Sequence, residues 1–148
     1  MEPIETLVFA VSLILGFSPQ GPQGSYPLPE VQIVEVVTVR QVIGRDPQGL
    51  VTIQMPSHDF SGWFDSETNR IQVKATCVPD ECDPVLVHEL AHWLALHYDV
   101  NSEELARYTE ECYRLQHHLP RSWPLMRRLI LEQHWRPPGL PPGRCAGS

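Results

Sequence analysis

His88-Glu89-Leu90-Ala91-His92 sets two imidazoles four residues apart, with a carboxylate directly after the first. At 3.6 residues per turn both histidines leave one face of a helix and can share a metal ion. Glu89 lies about 100° round the helix from His88, beside such a metal rather than on it. A carboxylate there can take a proton from a water that zinc has acidified. The spacing predicts hydrolytic chemistry, with His88 and His92 as zinc ligands and Glu89 as general base. The competing explanation for the same residues is a core helix carrying two part-buried histidines and a solvated glutamate.

A catalytic zinc takes three protein ligands and keeps one position open. The metzincin extension needs Gly three residues after the second His and a third His three later. Ala95 and Tyr98 stand there instead. His97 falls one residue off and on the wrong face, and His117 and His118 lie at the far end of the next helix. The remaining candidates are glutamates of that helix: Glu103, Glu104, Glu110 and Glu111. His92 lies about one and a half turns before its own helix ends. An antiparallel neighbour therefore presents a ligand from its early turns, which favours Glu103 and Glu104. With Asn101 as N-cap, Glu104 completes a capping box and Glu103 is left free. Acidic residues also suit a first turn electrostatically, with or without a metal.

These residues need a helix over 85–96, with Asp83 as N-cap and Pro84 in the first turn. Val85, Leu86, Leu90, Trp93, Leu94 and Leu96 make it apolar nearly all round, as in a buried helix. A second helix follows Asn101 or Ser102 and runs to about His118, its apolar face being Leu105, Tyr108, Cys112 and Leu115. A third, more basic helix covers 122–135. Upstream, the Val/Ile-rich run 31–42 reads as a strand. A turn at Asp46-Pro47 and a strand over 50–55 make it a hairpin. In 70–76, Ile71, Val73 and Ala75 alternate with Gln72, Lys74 and Thr76, which predicts a half-exposed strand at the sheet edge. The class is α+β: a small sheet packed on the motif helix, with two further helices.

The stretch from Thr68-Asn69-Arg70-Ile71-Gln72-Val73 through Leu86-Val87-His88-Glu89-Leu90-Ala91-His92 to Glu103-x-x-Ala106 resembles the small gluzincins. These are minimal thermolysin-like zinc metallopeptidases of bacteria and phage, and the likeness covers residues 63 to about 116. Glu103 matches the family's Glu-x-x-Ala through Ala106, whereas Glu104 would place Arg107 there. The resemblance implies a zincin-like fold, one zinc per chain on His88, His92 and Glu103, and Glu89 as base. It also implies a peptide or protein substrate extended along the 70–76 edge strand, and a Tyr or His that steadies the oxyanion; Tyr108, Tyr98 and His97 are candidates. Many relatives carry Asp four residues after the ligand Glu, to orient a zinc histidine. Arg107 stands there, leaving Asp99 or Glu110 as substitutes. The alternative function is a non-catalytic, zinc-stabilised binding module.

At 148 residues one domain with one core is expected. A net charge of -7 argues against a nucleic-acid partner. The 15 prolines cluster. They mark a Pro/Gly linker over 19–29 and a Pro/Gly tail over 137–148, both expected to be poorly ordered, around a folded part at 30–136. Residues 6–17 form an apolar run too short to span a bilayer as an ordinary helix but fitting the core of an export signal. Segment 1–18 is therefore read as an export signal or anchor, or else as a helix packed on the domain. Export (periplasmic, secreted or membrane-tethered) is the expected localisation, the cytoplasm being the alternative, with a membrane as partner only if that segment is retained. Six arginines after residue 111 meet one acidic residue, Glu132, so this end pairs either with the acidic middle or with a partner. The four cysteines, 77, 82, 112 and 145, allow three full pairings.

Overall fold

A computed structural model describes residues 2–21, 24–77 and 79–145, with 79–81 as backbone alone. Helix α1 (Ile4–Leu15) contains no Gly or Pro and ends at Gly16, whose φ of 81° permits the left-handed C-terminal cap. Its Leu7, Val8, Val11, Ile14 and Leu15 are buried in the common core. This corresponds to the packed-helix alternative for the apolar N-terminus. No helix among the described residues is long and apolar enough to cross a membrane.

Two short strands, β1 (Gln20–Gly21) and β2 (Gly24–Ser25), pair antiparallel within the segment expected to be a loose linker. That segment is held in place: Pro27 O accepts from Trp93 Nε1 at 3.1 Å, and the Tyr26 ring stacks on His97 at 3.9 Å. Proline and glycine there limit the backbone without preventing side-chain anchoring.

The run expected as one strand over 31–42 divides into β3 (Glu30–Val34) and β4 (Val37–Asp46). Strand β3 pairs parallel with β7 (Arg70–Lys74), in register Glu30↔Arg70 to Val34↔Lys74. On its other side β7 pairs antiparallel with β6 (Gly62–Asp65), from Gly62↔Val73 to Asp65↔Arg70. The sheet order is β3-β7-β6, so the strand expected at the edge is central. The alternation in 70–76 was informative about faces: Ile71 and Val73 are fully buried. It carries no information about whether the backbone edges are paired, and both are. The segment Gly62–Asp65, for which the sequence reading offered no strand, supplies the edge strand β6.

Strand β4 passes over the outer face of this sheet. The Gln72 side chain substitutes for a strand there, donating from Nε2 to Thr38 O at 2.8 Å and accepting from Thr38 N at 2.9 Å. Strand β4 then pairs with β5 (Gly49–Ser57) in the expected hairpin, with a bulge between Val42 and Gly44.

Helix α2 (Pro79–Leu96) carries the motif and begins a turn earlier than its proline suggests. Asp83 is therefore not its N-cap; the Asp83 carboxylate accepts from Glu2 N instead. Leu86, Val87, Leu90, Ala91, Trp93, Leu94 and Ala95 are all buried, each large apolar side chain contributing roughly 1.5–3 kcal/mol. Helix α3 (Glu103–Gln116) returns along α2. Its N-cap is Ser102, whose hydroxyl accepts from Leu105 N at 3.0 Å. Helix α4 (Pro124–Gln133) lies against α3, shorter than the expected 122–135. Disulfides join Cys77 to Cys82 and Cys112 to Cys145, one of the three possible pairings. Arg136 ties down the expected tail by donating to Ile14 O, Leu15 O and Pro141 O. The molecule is α+β, with four helices and small sheets among the described residues.

Candidate metal centre

His88 and His92 lie one turn apart on α2, and Glu103 is the first residue of α3. Because the connection between the helices is short, that first turn lies opposite His92. One carboxylate oxygen of Glu103 is 3.0 Å from His88 Nε2 and the other 3.0 Å from His92 Nε2. One donor atom from each of the three residues lies within 4.8 Å of the others, so the group can hold a metal ion. Glu104 takes no part in it.

The far nitrogen of each imidazole is also fixed. His88 Nδ1–H donates to Glu110 Oε1 at 2.9 Å, and His92 Nδ1–H donates to Asn101 Oδ1 at 2.7 Å. With a proton held at each Nδ1, Nε2 is the nitrogen left to bind a metal once the proton it shares with Glu103 is lost. Glu110 is itself fixed by Arg114 Nε at 2.7 Å and Trp123 Nε1 at 2.9 Å. Of the two substitutes considered for orienting a histidine, Glu110 is in place. Asp99 sits in the left-handed region (φ 56°) at the helix–helix turn.

The electrostatics follow from this packing. Burial works against protonating His88, but hydrogen bonds to Glu103 and Glu110 outweigh it and raise its pKa to about 10. His92 is raised too, burial again opposing and Glu103 prevailing. Burial pushes the Glu103 carboxyl up, yet the two imidazoles hold it well below the usual carboxylate range. Glu89 moves the other way: burial raises it, against the lowering effect of His88 and His92 and a backbone hydrogen bond from Phe64. A donor set of two nitrogens and one oxygen, with two cation-like protons between the imidazoles and the carboxylate, is a charge arrangement that a divalent cation can replace.

These residues open onto a cleft of about 1040 Å³. Its walls include residues 59–64, Glu89, Asn101, Arg107 and Trp123. Gly62 allows β6 to approach α2 closely. A Cβ there would stand 2.8 Å from Val85 Cγ1 and 3.2 Å from Glu89 Cγ. Since Lys74 N bonds Ser61 O, Gly62 and Val73 form a non-hydrogen-bonded pair. The backbone groups of Gly62 and Phe64 therefore point away from β7.

None of the three expected oxyanion donors reaches the cleft. Tyr98 OH donates to Ser18 O at 2.6 Å, Tyr108 OH accepts from Arg136, and His97 stacks on Tyr26. Sequence reasoning missed Asn101 as a histidine partner and Trp123 altogether, and met Arg107 only as a departure from the pattern of the family it resembles. Arg107 lies over the Trp123 ring at 4.1 Å, with its Nε 3.3 Å from Glu103 Oε1. The departure of Arg107 from the family pattern was the available signal for its role. No model of a protein family, no curated protein and no solved structure matches the chain.

Proposed function

We propose that the chain is a zinc-dependent peptidase with a zincin-like fold, holding one zinc ion on His88, His92 and Glu103. The observation that supports it best is the convergence of two imidazole Nε2 atoms on one carboxylate, each imidazole fixed from behind, with Glu89 beside them in an open cleft. A His/His/Glu donor set with cleft access suits zinc better than calcium or magnesium, which prefer all-oxygen shells. When bound, zinc supplies Lewis acidity, lowering the pKa of a water and polarising a carbonyl.

The residues of the chain do the rest. Glu89 accepts the proton of the attacking water and later delivers it to the departing amine, and burial raises its pKa toward that dual task. Glu110 and Asn101 hold the imidazoles in the metal-binding tautomer. Strand β7 has partners on both edges and cannot take an extended substrate, so the expectation of pairing along 70–76 is withdrawn. The edge of β6 away from β7, where the Gly62 backbone groups and the Phe64 carbonyl turn outward while the Phe64 N–H bonds Glu89, replaces it as the place for a peptide to pair. The two disulfides suit an oxidising compartment, in keeping with export.

The test compares the zinc-loaded protein with its Glu89→Gln variant. The variant should keep its fold and one zinc per chain while losing hydrolysis of an unstructured protein by at least about 100-fold. Equal activity in the two proteins excludes the mechanism. Zinc binding without turnover in either would identify a non-catalytic zinc module.

A further inference from the structure

We propose that Arg107 is the oxyanion-stabilising residue of this cleft, its guanidinium meeting the carbonyl oxygen of the peptide bond under attack. The inference rests on the hydrolytic reading above. As water adds to the carbonyl carbon, its proton passes to Glu89 and the C=O π pair moves onto the carbonyl oxygen. When the C–N bond then breaks, that pair re-forms the carbonyl and the proton goes to the amine. One water is consumed, giving a carboxylic acid and an amine, and transfer of the second water proton from the acid to the amine leaves a carboxylate and an ammonium. The negative charge on oxygen is transient, and donors already fixed at that point are worth most.

Arg107 is fixed in that way. It stands one turn after Glu103 on α3, with Nε 3.3 Å from Glu103 Oε1 and its guanidinium 4.1 Å above the Trp123 ring. Trp123 cannot drift, because its backbone N donates to buried Glu111 at 2.7 Å and its Nε1 donates to Glu110 at 2.9 Å. Beyond its ion pair with Glu103 the guanidinium has no side-chain hydrogen-bond partner among the described residues, and the side chain is 44% exposed and lines the cleft. A cation touching a member of the ligand group lies too near it to clamp a remote substrate carboxylate.

Other donors fit less well. Arg114 is buried and engaged with Glu110 and Pro120 O. Lys74 also lines the cleft, but among the described residues no contact ties its side chain to the ligand group as Arg107 is tied to Glu103. The expected Tyr98, Tyr108 and His97 are engaged elsewhere.

The test uses the full chain loaded with zinc, alongside Arg107→Lys and Arg107→Ala. Four quantities are measured: kcat and KM on a peptide recovered from a casein digest; affinity for the phosphinic analogue of that peptide, a tetrahedral oxyanion mimic; affinity for acetohydroxamate; and zinc affinity against a chelator. Arg107→Ala should lower kcat by about 10²–10³ with KM within threefold. Phosphinate affinity should fall in parallel, acetohydroxamate and zinc affinities should stay within threefold, and Arg107→Lys should recover part of the loss. Unchanged kcat in Arg107→Ala, or phosphinate and hydroxamate weakening together with zinc, overturns the inference and leaves the hydrolytic reading standing. A wild-type protein that holds zinc but neither cleaves casein nor binds the phosphinate overturns both.

Discussion

Each histidine of the pair is controlled through the nitrogen it turns away from the cleft. Glu110 is nearly buried and accepts from His88, Trp123 and Arg114 at once, so its charge and its position are both in use. Glu110→Gln should weaken zinc binding by roughly 10–100-fold, the usual worth of a carboxylate behind a metal histidine. Chelator competition measures that, and melting of the zinc-free variant measures the separate cost of leaving Arg114 without its carboxylate. A lower melting temperature with unchanged zinc affinity would make Glu110 a folding residue only. At this scale the sequence was legible wherever helical period sufficed: His88, Glu89 and His92 share a helix by spacing. The short return of the next helix narrowed the third position to Glu103 or Glu104, but the capping box that favoured Glu103 needed Asn101 as N-cap, and the cap is Ser102. Asn101 was obscured because Asn101 and Ser102 are both good N-caps. Only the structure gives the cap to Ser102 and so frees the Asn101 amide for His92. Arg107 and Trp123 meet because Glu111, on the same helix as Arg107, pins the loop that carries Trp123, a contact with no periodicity to read.

The helices that carry the ligands were predicted nearly in place, and the sheet that faces them was not. Amphipathic period locates a buried face, but strand order depends on which backbone edges find partners, and alternation leaves that open. Thus 70–76 was recognised as a strand and misplaced as an edge, while the four-residue β6 passed unnoticed between aromatic residues and a turn. Strand β6 owes its proximity to Glu89, the proposed general base, to Gly62. In Gly62→Ala the added methyl meets Val85 Cγ1, Gln72 O and Glu89 Cγ, and the strand must move outward to admit it. Overpacking of this kind costs about 1–3 kcal/mol. The variant should melt lower, retain zinc, and lose kcat because the Phe64 amide and the Glu89 carboxylate are both displaced. Wild-type melting and turnover in Gly62→Ala would show that β6 is not held against α2 and plays no part in placing the base.

Distant parts of the chain converge to hold the two ligand helices. Helix α1 covers α2 and α3 with five buried side chains, Arg136 donates to the last carbonyls of α1, and Cys145 is bonded to Cys112 on α3. Arg114 and Arg127 pair with Glu110 and Glu111, so two arginines of the basic end meet the acidic middle. The composition allowed this reading, but Pro/Gly content concealed the order of 24–29 and of the tail, since anchoring by Trp93, Asn69 and Arg136 depends on contacts far along the chain. A framework closed in this way makes the metal group a term in global stability, with a sign that depends on occupancy. Without metal, His88 titrates near 10 in the folded state against an ordinary 6.5. A raised folded pKa means that folding favours the bound proton. Its stabilisation is complete below about 6.5 and disappears as pH rises through the folded value. With zinc the dependence reverses, because Nε2 must give up its proton to bind, and rising pH favours the metal. Chelator-treated protein should therefore melt at progressively lower temperature from pH 6.5 to pH 9, while the gain in melting temperature on adding zinc widens across the same window. Paired melting scans at half-unit pH steps measure both quantities. A metal-free curve that stays flat or rises over that window would mean that the imidazoles are already neutral in the folded protein and that Glu103 is not held by their protons.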